Sequence, residues 1–247
     1  DDTVNNIKLN PWQRKISYVF QDNRLFPNMT VQQNIYFGYK RRKSTLDVDE
    51  VIEKFKIEDL LTHYPDQLSG GQKRRIAIAA VLAIQPKIII ADEPTTGLDS
   101  YTQTVVMQLI SDLQEKKGLS VVFISHDLQL VKQSCQRIVV LYLGNVVEIG
   151  NTRQITSQQA HPYTQLLWNS HLSQLSGQIR SEQKHNIRSG LHDFARPLHG
   201  CRFAPRCQQY IAMGKPNICT DKNTKPVLTE ISPEHQVACH FNLLKQK

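Results

Sequence analysis

Short apolar runs alternate with amphipathic stretches along this chain. Runs at 16–20, 87–91 and 120–124 predict strands, and the continuous run at 87–91 is typical of a central parallel strand covered on both faces. Helical patterns lie between and after them, at about 30–39, 47–55, 58–63, 76–84, 100–117 and 128–133. Strands that alternate with helices predict a doubly wound α/β domain with a parallel sheet.

The pattern also divides the chain. Two runs at 138–142 and 146–149 predict a hairpin that closes the α/β domain, which we bound at 1–158, with a helical subdomain at about 22–84. Residues 159–247 form a second part, which begins with a short helix near His161, continues through a polar linker at about 171–198, and ends in a loop-rich segment containing cysteines and prolines. At 247 residues, one to two domains are expected.

One stretch, Leu-Ser-Gly-Gly-Gln at 68–72, precedes a long apolar helix. Ser69 is suited to cap the first turn, while Gly70 and Gly71 allow a ligand close to the backbone. Unpaired N–H groups and the positive end of the helix dipole favour a phosphate there. An ordinary loop and helix cap would have the same sequence, so this motif needs support from the rest of the chain.

That support comes from the polar residues that follow the predicted strands. Gln21, the pair Asp92 and Glu93, and His126 each follow one apolar run. Ligands of open α/β sheets bind at the carboxyl ends of the strands, so one sheet edge is expected to gather an amide, two carboxylates and an imidazole. This set suits phosphoryl transfer, which requires charge neutralisation and an oriented water molecule.

Together with Gly97-Leu98-Asp99, these motifs resemble those of the ATP-binding-cassette (ABC) ATPases, with 68–72 as the signature motif. The resemblance implies a partial RecA-like nucleotide-binding domain that uses ATP and Mg²⁺. Asp92 would hold Mg²⁺ through water, Glu93 would act as general base, and Gln21 would touch the metal and the attacking water. His126 would contact the γ-phosphate. The signature residues would close over ATP held by the opposite subunit; they are Ser69, Gly70, Gly71 and Gln72. Asp99 would connect the two composite sites across the dimer.

The phosphate loop of this family is absent from the 247 residues, because no glycine begins a Gly-x-x-x-x-Gly-Lys-Ser/Thr run. We therefore expect a cassette that lacks its N-terminal, Walker A part, is inactive alone, and has 16–20 and 76–84 partly exposed. The alternative is a hydrolysis-incompetent cassette that acts as a scaffold or regulatory partner.

The second part of the chain resembles the C-terminal extension of oligopeptide, dipeptide and nickel importer ATPases, through His-Pro-Tyr-Thr at 161–164 and four spaced cysteines. Those cysteines are Cys201, Cys207, Cys219 and Cys239. In some relatives such cysteines hold an iron–sulfur cluster, and four thiolates also suit zinc. Unligated reduced thiols are the alternative. Residues 18–39 look more like anion importers, so the transported solute stays open.

Composition bears on partners. Residues 1–150 carry 18 basic and 17 acidic residues, so the net charge of +8 arises from the C-terminal third, and we expect no nucleic-acid partner. An ABC protein acting on DNA or ribosomes would also need long heptad arms or a second cassette.

The longest apolar run has nine residues, about half a membrane span. The expected partners are a second ATPase subunit, a membrane permease and, indirectly, a solute-binding protein, with the chain at the cytoplasmic face of the membrane.

Overall fold

The computed structural model describes residues 9–10, 14–42, 47–175 and 199–246. The chain divides into two compact units, Asp1–His126 and Asp127–Lys247. The elements of the first unit are β1 (Ile16–Val19), α1 (Val31–Arg42), α2 (Val48–Phe55), α3 (Gly70–Ala83), β2 (Ile88–Asp92), α4 (Ser100–Lys117) and β3 (Ser120–Ile124), with short 3-10 turns at Glu58–Leu60 and Pro65–Gln67.

The first unit contains a parallel sheet, as the alternating pattern predicts. Its strand order in the described residues is β1-β2-β3, with Ile16 opposite Ile88 and Ile88 opposite Ser120. One face of this sheet joins helices α1 to α4 in a single apolar core, to which β2 contributes Ile89 and Ala91. Buried apolar side chains stabilise such a core by about 25 cal/mol per Å² removed from water.

Two expectations about exposure have opposite outcomes. Ile16 and Phe20, on the other face of β1, are 45% and 42% exposed. Most of the run at 76–84 contradicts the expectation, because Ile76, Ile78 and Leu82 are buried; Ala80, Val81 and Ile84 keep partial exposure. The reason lies within the unit, where α1 and α2 both pack against α3 and surround its apolar residues.

The second unit contains α5 (Leu128–Ser134), β4 (Arg137–Tyr142), β5 (Asn145–Asn151), α6 (Thr152–Ser157), α7 (Pro162–Leu175), α8 (Gln208–Ala212), β6 (Thr229–Ser232) and β7 (His235–Val237). The sequence pattern predicts that the hairpin β4–β5 closes the α/β domain, but the hairpin is not part of the parallel sheet. It belongs to a separate antiparallel sheet with the order β4-β5-β7-β6 in the described residues. Strands β6 and β7 are too short, and β6 lies too close to prolines, to be read from periodicity.

A buried carboxylate explains why β7 joins the hairpin. Glu148 on β5 is fully buried, and its Oε1 lies 2.7 Å from Nε2 of His235, which is also fully buried on β7. The same carboxylate accepts backbone N–H groups from Ala160 at 2.8 Å and His161 at 2.9 Å. One side chain thus connects β5, β7 and the turn before α7.

The sequence boundaries in the C-terminal part are only partly covered by the described residues. Helix α7 continues to Leu175, so the first five residues of the expected linker are helical. Residues 176–198 lie outside the described part of the chain. The domain boundary near residue 158 stays a prediction.

None of the helices in the described ranges has the length and apolar character needed to span a membrane.

Candidate functional site

The sheet register brings the predicted strand-end residues to one edge. Val19 lies opposite Ala91, and Asp92 opposite Ile124, so the three parallel strands end at the same level. Asp92 is the last residue of β2 and Glu93 follows it, while Gln21 and His126 lie two residues beyond the ends of β1 and β3. The structure therefore places an amide, two carboxylates and an imidazole along the carboxyl edge of β1, β2 and β3.

Glu93 is the most constrained of these residues. Its Oε1 lies 2.6 Å from Nδ1 of His126 and accepts the His126 backbone N–H, while its Oε2 accepts the Thr96 hydroxyl at 2.8 Å. Burial raises the pKa of the Glu93 carboxyl, but the hydrogen bonds from His126 and Thr96 outweigh it, so the net shift is downward. The carboxyl is ionised at neutral pH and held in one orientation.

The Glu93 backbone is also unusual, with a φ of 50° in the left-handed region. A non-glycine residue there costs of order 1–3 kcal/mol and persists only where its surroundings hold it. The Glu93 N–H donates to the Ile124 carbonyl at 2.9 Å, and its own carbonyl accepts the Thr96 N–H. Such strain is concentrated at functional sites, which is consistent with a working role for this carboxylate.

Asp92 lies half-buried at the end of β2, beside Tyr18. The Tyr18 hydroxyl donates to Asp92 Oδ2 at 3.1 Å. Desolvation, then the hydrogen bond to Asp92 and its charge, raise the pKa of the Tyr18 hydroxyl. Within the described residues the other Asp92 oxygen, Oδ1, has no hydrogen-bond partner, so it is available to a cation or a water molecule.

Arg74 is a site residue that the sequence pattern did not reveal. Arg74 stands in the middle of the basic run Lys73 to Arg75, yet it is only 5% exposed. Its guanidinium donates to the Glu93 carbonyl at 2.5 Å and to the Gln21 carbonyl at 2.8 Å, joining two strand ends. No local signal separates Arg74 from its basic neighbours Lys73 and Arg75. A buried arginine needs acceptors, and here they are carbonyl groups at two distant strand ends.

The signature stretch begins helix α3 with a reciprocal cap. Ser69 Oγ accepts the Gln72 N–H at 3.2 Å, and Gln72 Oε1 accepts the Ser69 N–H at 2.8 Å. Ser69 and Gly70 are exposed, and a Cβ added to Gly70 would meet nothing within 4 Å. A Cβ on Gly71 would lie 3.3 Å from the Gly97 carbonyl oxygen, so the cap and the turn after Glu93 are close neighbours.

Asp99 caps helix α4. Its Oδ1 accepts the Thr102 N–H at 2.9 Å, and its Oδ2 accepts the Thr102 hydroxyl at 2.7 Å. These bonds, the backbone one first, lower the pKa of the Asp99 carboxyl. The geometry accounts for Asp99 as a cap, and its expected role between two subunits stays a prediction.

Two family models match the chain. The model described as "ABC transporter" matches residues 1–96, and the one described as "Oligopeptide/dipeptide transporter, C-terminal region" matches residues 147–213. A probable peptide ABC transporter ATP-binding protein, y4tR of Sinorhizobium fredii, is 37% identical over 236 residues, covering 91% of this chain and 68% of that protein. The chain belongs to the ABC transporter ATP-binding proteins.

Other relatives of this ABC protein have similar names. The putative oligopeptide transport ATP-binding protein YkfD of Bacillus subtilis is 36% identical, over 93% of this chain and 71% of its own length. The dipeptide transport ATP-binding protein DppD of Haemophilus influenzae is 35% identical, over 94% and 70%. The solved ATP-binding cassette MJ0796, a dimer bound to ADP and Pi, superimposes with a TM-score of 0.51 at 35% identity, covering 57% of this chain and 64% of that one.

The C-terminal cysteines of this ABC protein are free thiols in the structure. In the described residues, no three or more His, Cys, Asp or Glu side chains are arranged to hold a metal ion. Burial, followed by the neighbouring thiols, raises the pKa of Cys219 to about 11, and burial is also the main cause that raises the pKa of Cys239 to about 12. Burial raises the pKa of Cys135, which lies apart and packs against the β4–β5 core.

Proposed function

We propose that this chain is the ATP-hydrolysing subunit of an ABC importer of peptides, with Glu93 as the general base. The observation that carries the proposal is the Glu93 carboxylate, ionised and fixed by His126 and Thr96 at the sheet edge beside Asp92. A general base must be correctly charged and oriented before the reacting water arrives. In this site both conditions are met by neighbours within the same unit.

The other side chains of the site would bind the metal ion, orient the water and hold the site together. Asp92 would hold Mg²⁺ through water, because Mg²⁺ is a hard cation that prefers oxygen ligands and keeps several waters. When bound, Mg²⁺ neutralises the charge of the nucleotide phosphates. Gln21 would orient the water, and Arg74 would fix the spacing between Gln21 and Glu93 through their carbonyl groups. The exposed N-terminus of α3 would close on ATP held by a second ATPase subunit.

The test uses an extended chain, in which a Walker A segment is fused ahead of residue 1. We expect Glu93→Gln to retain Mg-ATP binding and to lower turnover by about 10² to 10⁴, because the amide cannot accept the proton of the water. Glu115→Gln, an exposed acid on α4, is the matched control and should leave turnover unchanged. Turnover of the Glu93 variant within a few fold of wild type would remove Glu93 as the base.

The rival function is a cassette that only scaffolds or regulates a partner. It is favoured by the absence of a Walker A run from the 247 residues. Residues 1–247 alone are therefore expected to show no phosphate release, because the β- and γ-phosphate cradle must come from outside them. Micromolar Mg-ATP binding with turnover abolished by Glu93→Gln in those residues would contradict this expectation.

The solute and the partners follow from the relatives. Those reported above carry peptide, oligopeptide or dipeptide transport in their names, so we propose peptides rather than nickel as the cargo of the transporter. The subunit would work as a dimer of ATPase subunits at the cytoplasmic face, bound to a membrane permease that receives its cargo from a solute-binding protein. Copurification with a membrane fraction only when the permease is coexpressed would support this placement.

A metal centre at the four C-terminal cysteines is a separate proposal. In its favour, Cys201 N–H donates to the Cys219 carbonyl at 2.9 Å, and after burial the proximity of Cys201, Cys207 and Cys219 adds to the raised pKa of Cys239. Against it, metals bind thiolates, and raised pKa values keep these thiols protonated until a metal displaces the protons. Elemental analysis of anaerobically purified protein decides between the centre and four free thiols: absence of both iron and zinc would end the proposal.

A further inference from the structure

The second unit contains a cavity that the ATPase chemistry does not use. Its volume is about 340 Å³, near the lower end of the roughly 300–1,000 Å³ typical of small-molecule pockets. Its described lining comes from the β4–β5 hairpin, from the loop that follows residue 199, and from the stretch that precedes β6, together with His161 before α7 and Ala238 after β7. All of its described lining residues belong to the second unit, and none is among the residues of the candidate site described above.

The walls of the cavity are mainly apolar. Val147 and Phe203 are buried behind it, and Val227 and Leu228 are exposed at its side. When an apolar ligand covers an apolar wall that water can reach, the removal of that surface from water favours binding. These walls would therefore suit the apolar body of a small molecule.

One polar group in the lining is unusual. His161 is only 1% exposed, and its Nδ1 accepts the Tyr163 N–H at 3.0 Å, so Nδ1 carries no proton. The neutral ring must then carry its proton on Nε2. Burial lowers the pKa of His161 to about 4, which keeps the ring neutral at physiological pH. Within the described residues no acceptor is paired with this Nε2–H, and the His161 side chain lines the cavity.

The charged side chains in the described lining are both cations. Arg202 and Lys225 line the cavity, and the Arg202 guanidinium is held by a hydrogen bond to the Leu143 carbonyl. No aspartate or glutamate belongs to the described lining. The polar groups can therefore satisfy an anionic acceptor, whereas an ammonium group would meet two cations and no carboxylate.

We propose that this cavity binds a small carboxylate with an apolar body, which places its carboxylate between the His161 Nε2–H and the cations Arg202 and Lys225. The ligand class disfavours free amino acids, because their ammonium group would meet two cations and no carboxylate among the lining side chains. The proposal goes beyond ATP hydrolysis and assigns the C-terminal extension a ligand of its own.

Calorimetry on the full 247-residue chain tests the class with three probes of similar size. We expect 3-phenylpropionate to bind, and both 3-phenylpropan-1-ol and phenylalanine to bind at least about tenfold more weakly. A hydrogen bond to a charged group contributes more than the 1.4 kcal/mol of binding free energy that corresponds to a factor of ten in affinity. Equal binding of the alcohol, tighter binding of phenylalanine, or no binding of 3-phenylpropionate at about 5 mM would overturn the proposal.

A lysine pair locates the site. Lys225→Gln should weaken 3-phenylpropionate binding by about threefold, because Lys225 is exposed and a solvated ion pair contributes less than about 1 kcal/mol. Lys222→Gln, an exposed lysine outside the lining, should not change it. An equal effect of both variants, or no effect of Lys225→Gln, would contradict this location. His161→Phe also removes the acceptor of the Tyr163 N–H, so the lysine pair carries the test. Since no arm of this experiment involves ATP, its failure would leave the proposed ATPase function untouched.

Discussion

Each unit contains a carboxylate–imidazole pair of nearly the same length in opposite surroundings. In the first unit, Glu93 Oε1 lies 2.6 Å from His126 Nδ1, and the His126 side chain is 81% exposed. In the second, Glu148 Oε1 lies 2.7 Å from His235 Nε2, and both side chains are fully buried. The same chemistry can therefore serve a reaction at one place and the fold at the other, and burial distinguishes the two.

The partners of each carboxylate explain the difference. Glu148 accepts two backbone N–H groups besides His235, so all of its interactions hold elements of the second unit together. Glu93 is held by groups at the carboxyl edge of the sheet, where Asp92 and the start of α3 also lie. A charge that is exposed at one side keeps access to a ligand, whereas a fully buried charge has value only through its neighbours.

The largest expected effect comes from breaking the buried pair. Glu148→Ala should lower the free energy of unfolding of the second unit by about 3–5 kcal/mol, because it leaves His235 and two backbone N–H groups buried without their acceptor. Urea unfolding followed by circular dichroism measures the loss. Glu230→Ala, an exposed acid on β6, is the control. A loss below about 1 kcal/mol, the typical value of a surface ion pair, would show that Glu148 does not hold the unit together.

The two pairs also differ in how far the sequence predicts them. Gln21, Glu93 and His126 could be placed at one edge because each follows an apolar run, and parallel strands end on the same side. Their roles were given by the family resemblance. Glu148 stands in an ordinary strand pattern, and its partner is 87 residues away. Nothing local marks such a pair, because it depends on how β7 packs.

The helices show the same difference between what local sequence predicts and what depends on distant contacts. Local signals, a capping Asp99 and a terminal Gly118, bound α4 at Ser100–Lys117, as the sequence pattern predicts. The burial of Arg74 could not be read locally, because its acceptors are carbonyl groups 19 and 53 residues away. Sequence periodicity thus predicts elements and their ends, while contacts between distant elements need the structure.

Breaking the exposed pair should have the next largest effect, on turnover instead of stability. In the extended chain we expect His126→Ala to lower turnover by about 10² to 10³, the usual loss when one donor to the reacting group is removed. The free energy of unfolding should change by less than about 1 kcal/mol, because the imidazole is mostly exposed. Steady-state phosphate release and urea unfolding separate the two. A stability loss as large as that of Glu148→Ala would contradict the comparison.

Acid pH should weaken the second unit through His161. Burial lowers its pKa from 6.5 to about 4 in the folded chain, so between these values the unfolded chain binds a proton that the folded chain does not. Stability therefore falls as pH falls, by about 2 kcal/mol between pH 6.5 and 5. Urea unfolding at several pH values measures the slope, which His161→Gln should reduce. An identical slope in that variant would assign the effect to other groups.

The smallest expected effects separate two matching helix caps. Ser69 and Gln72 form a reciprocal cap on α3 in the first unit, and Asn151 and Gln154 form the same arrangement on α6 in the second. Ser69→Ala and Asn151→Ala should each cost about 1 kcal/mol of unfolding free energy, because each removes the acceptor for an N–H in the first helical turn. In the extended chain, only Ser69→Ala should also raise the ATP concentration needed for half-maximal turnover, since the α3 cap is exposed and meets the partner's nucleotide in the proposed dimer. Urea unfolding and steady-state kinetics on both variants make the comparison. Equal kinetics in the two variants would mean that the Ser69 hydroxyl caps its helix and does not contribute to the use of ATP.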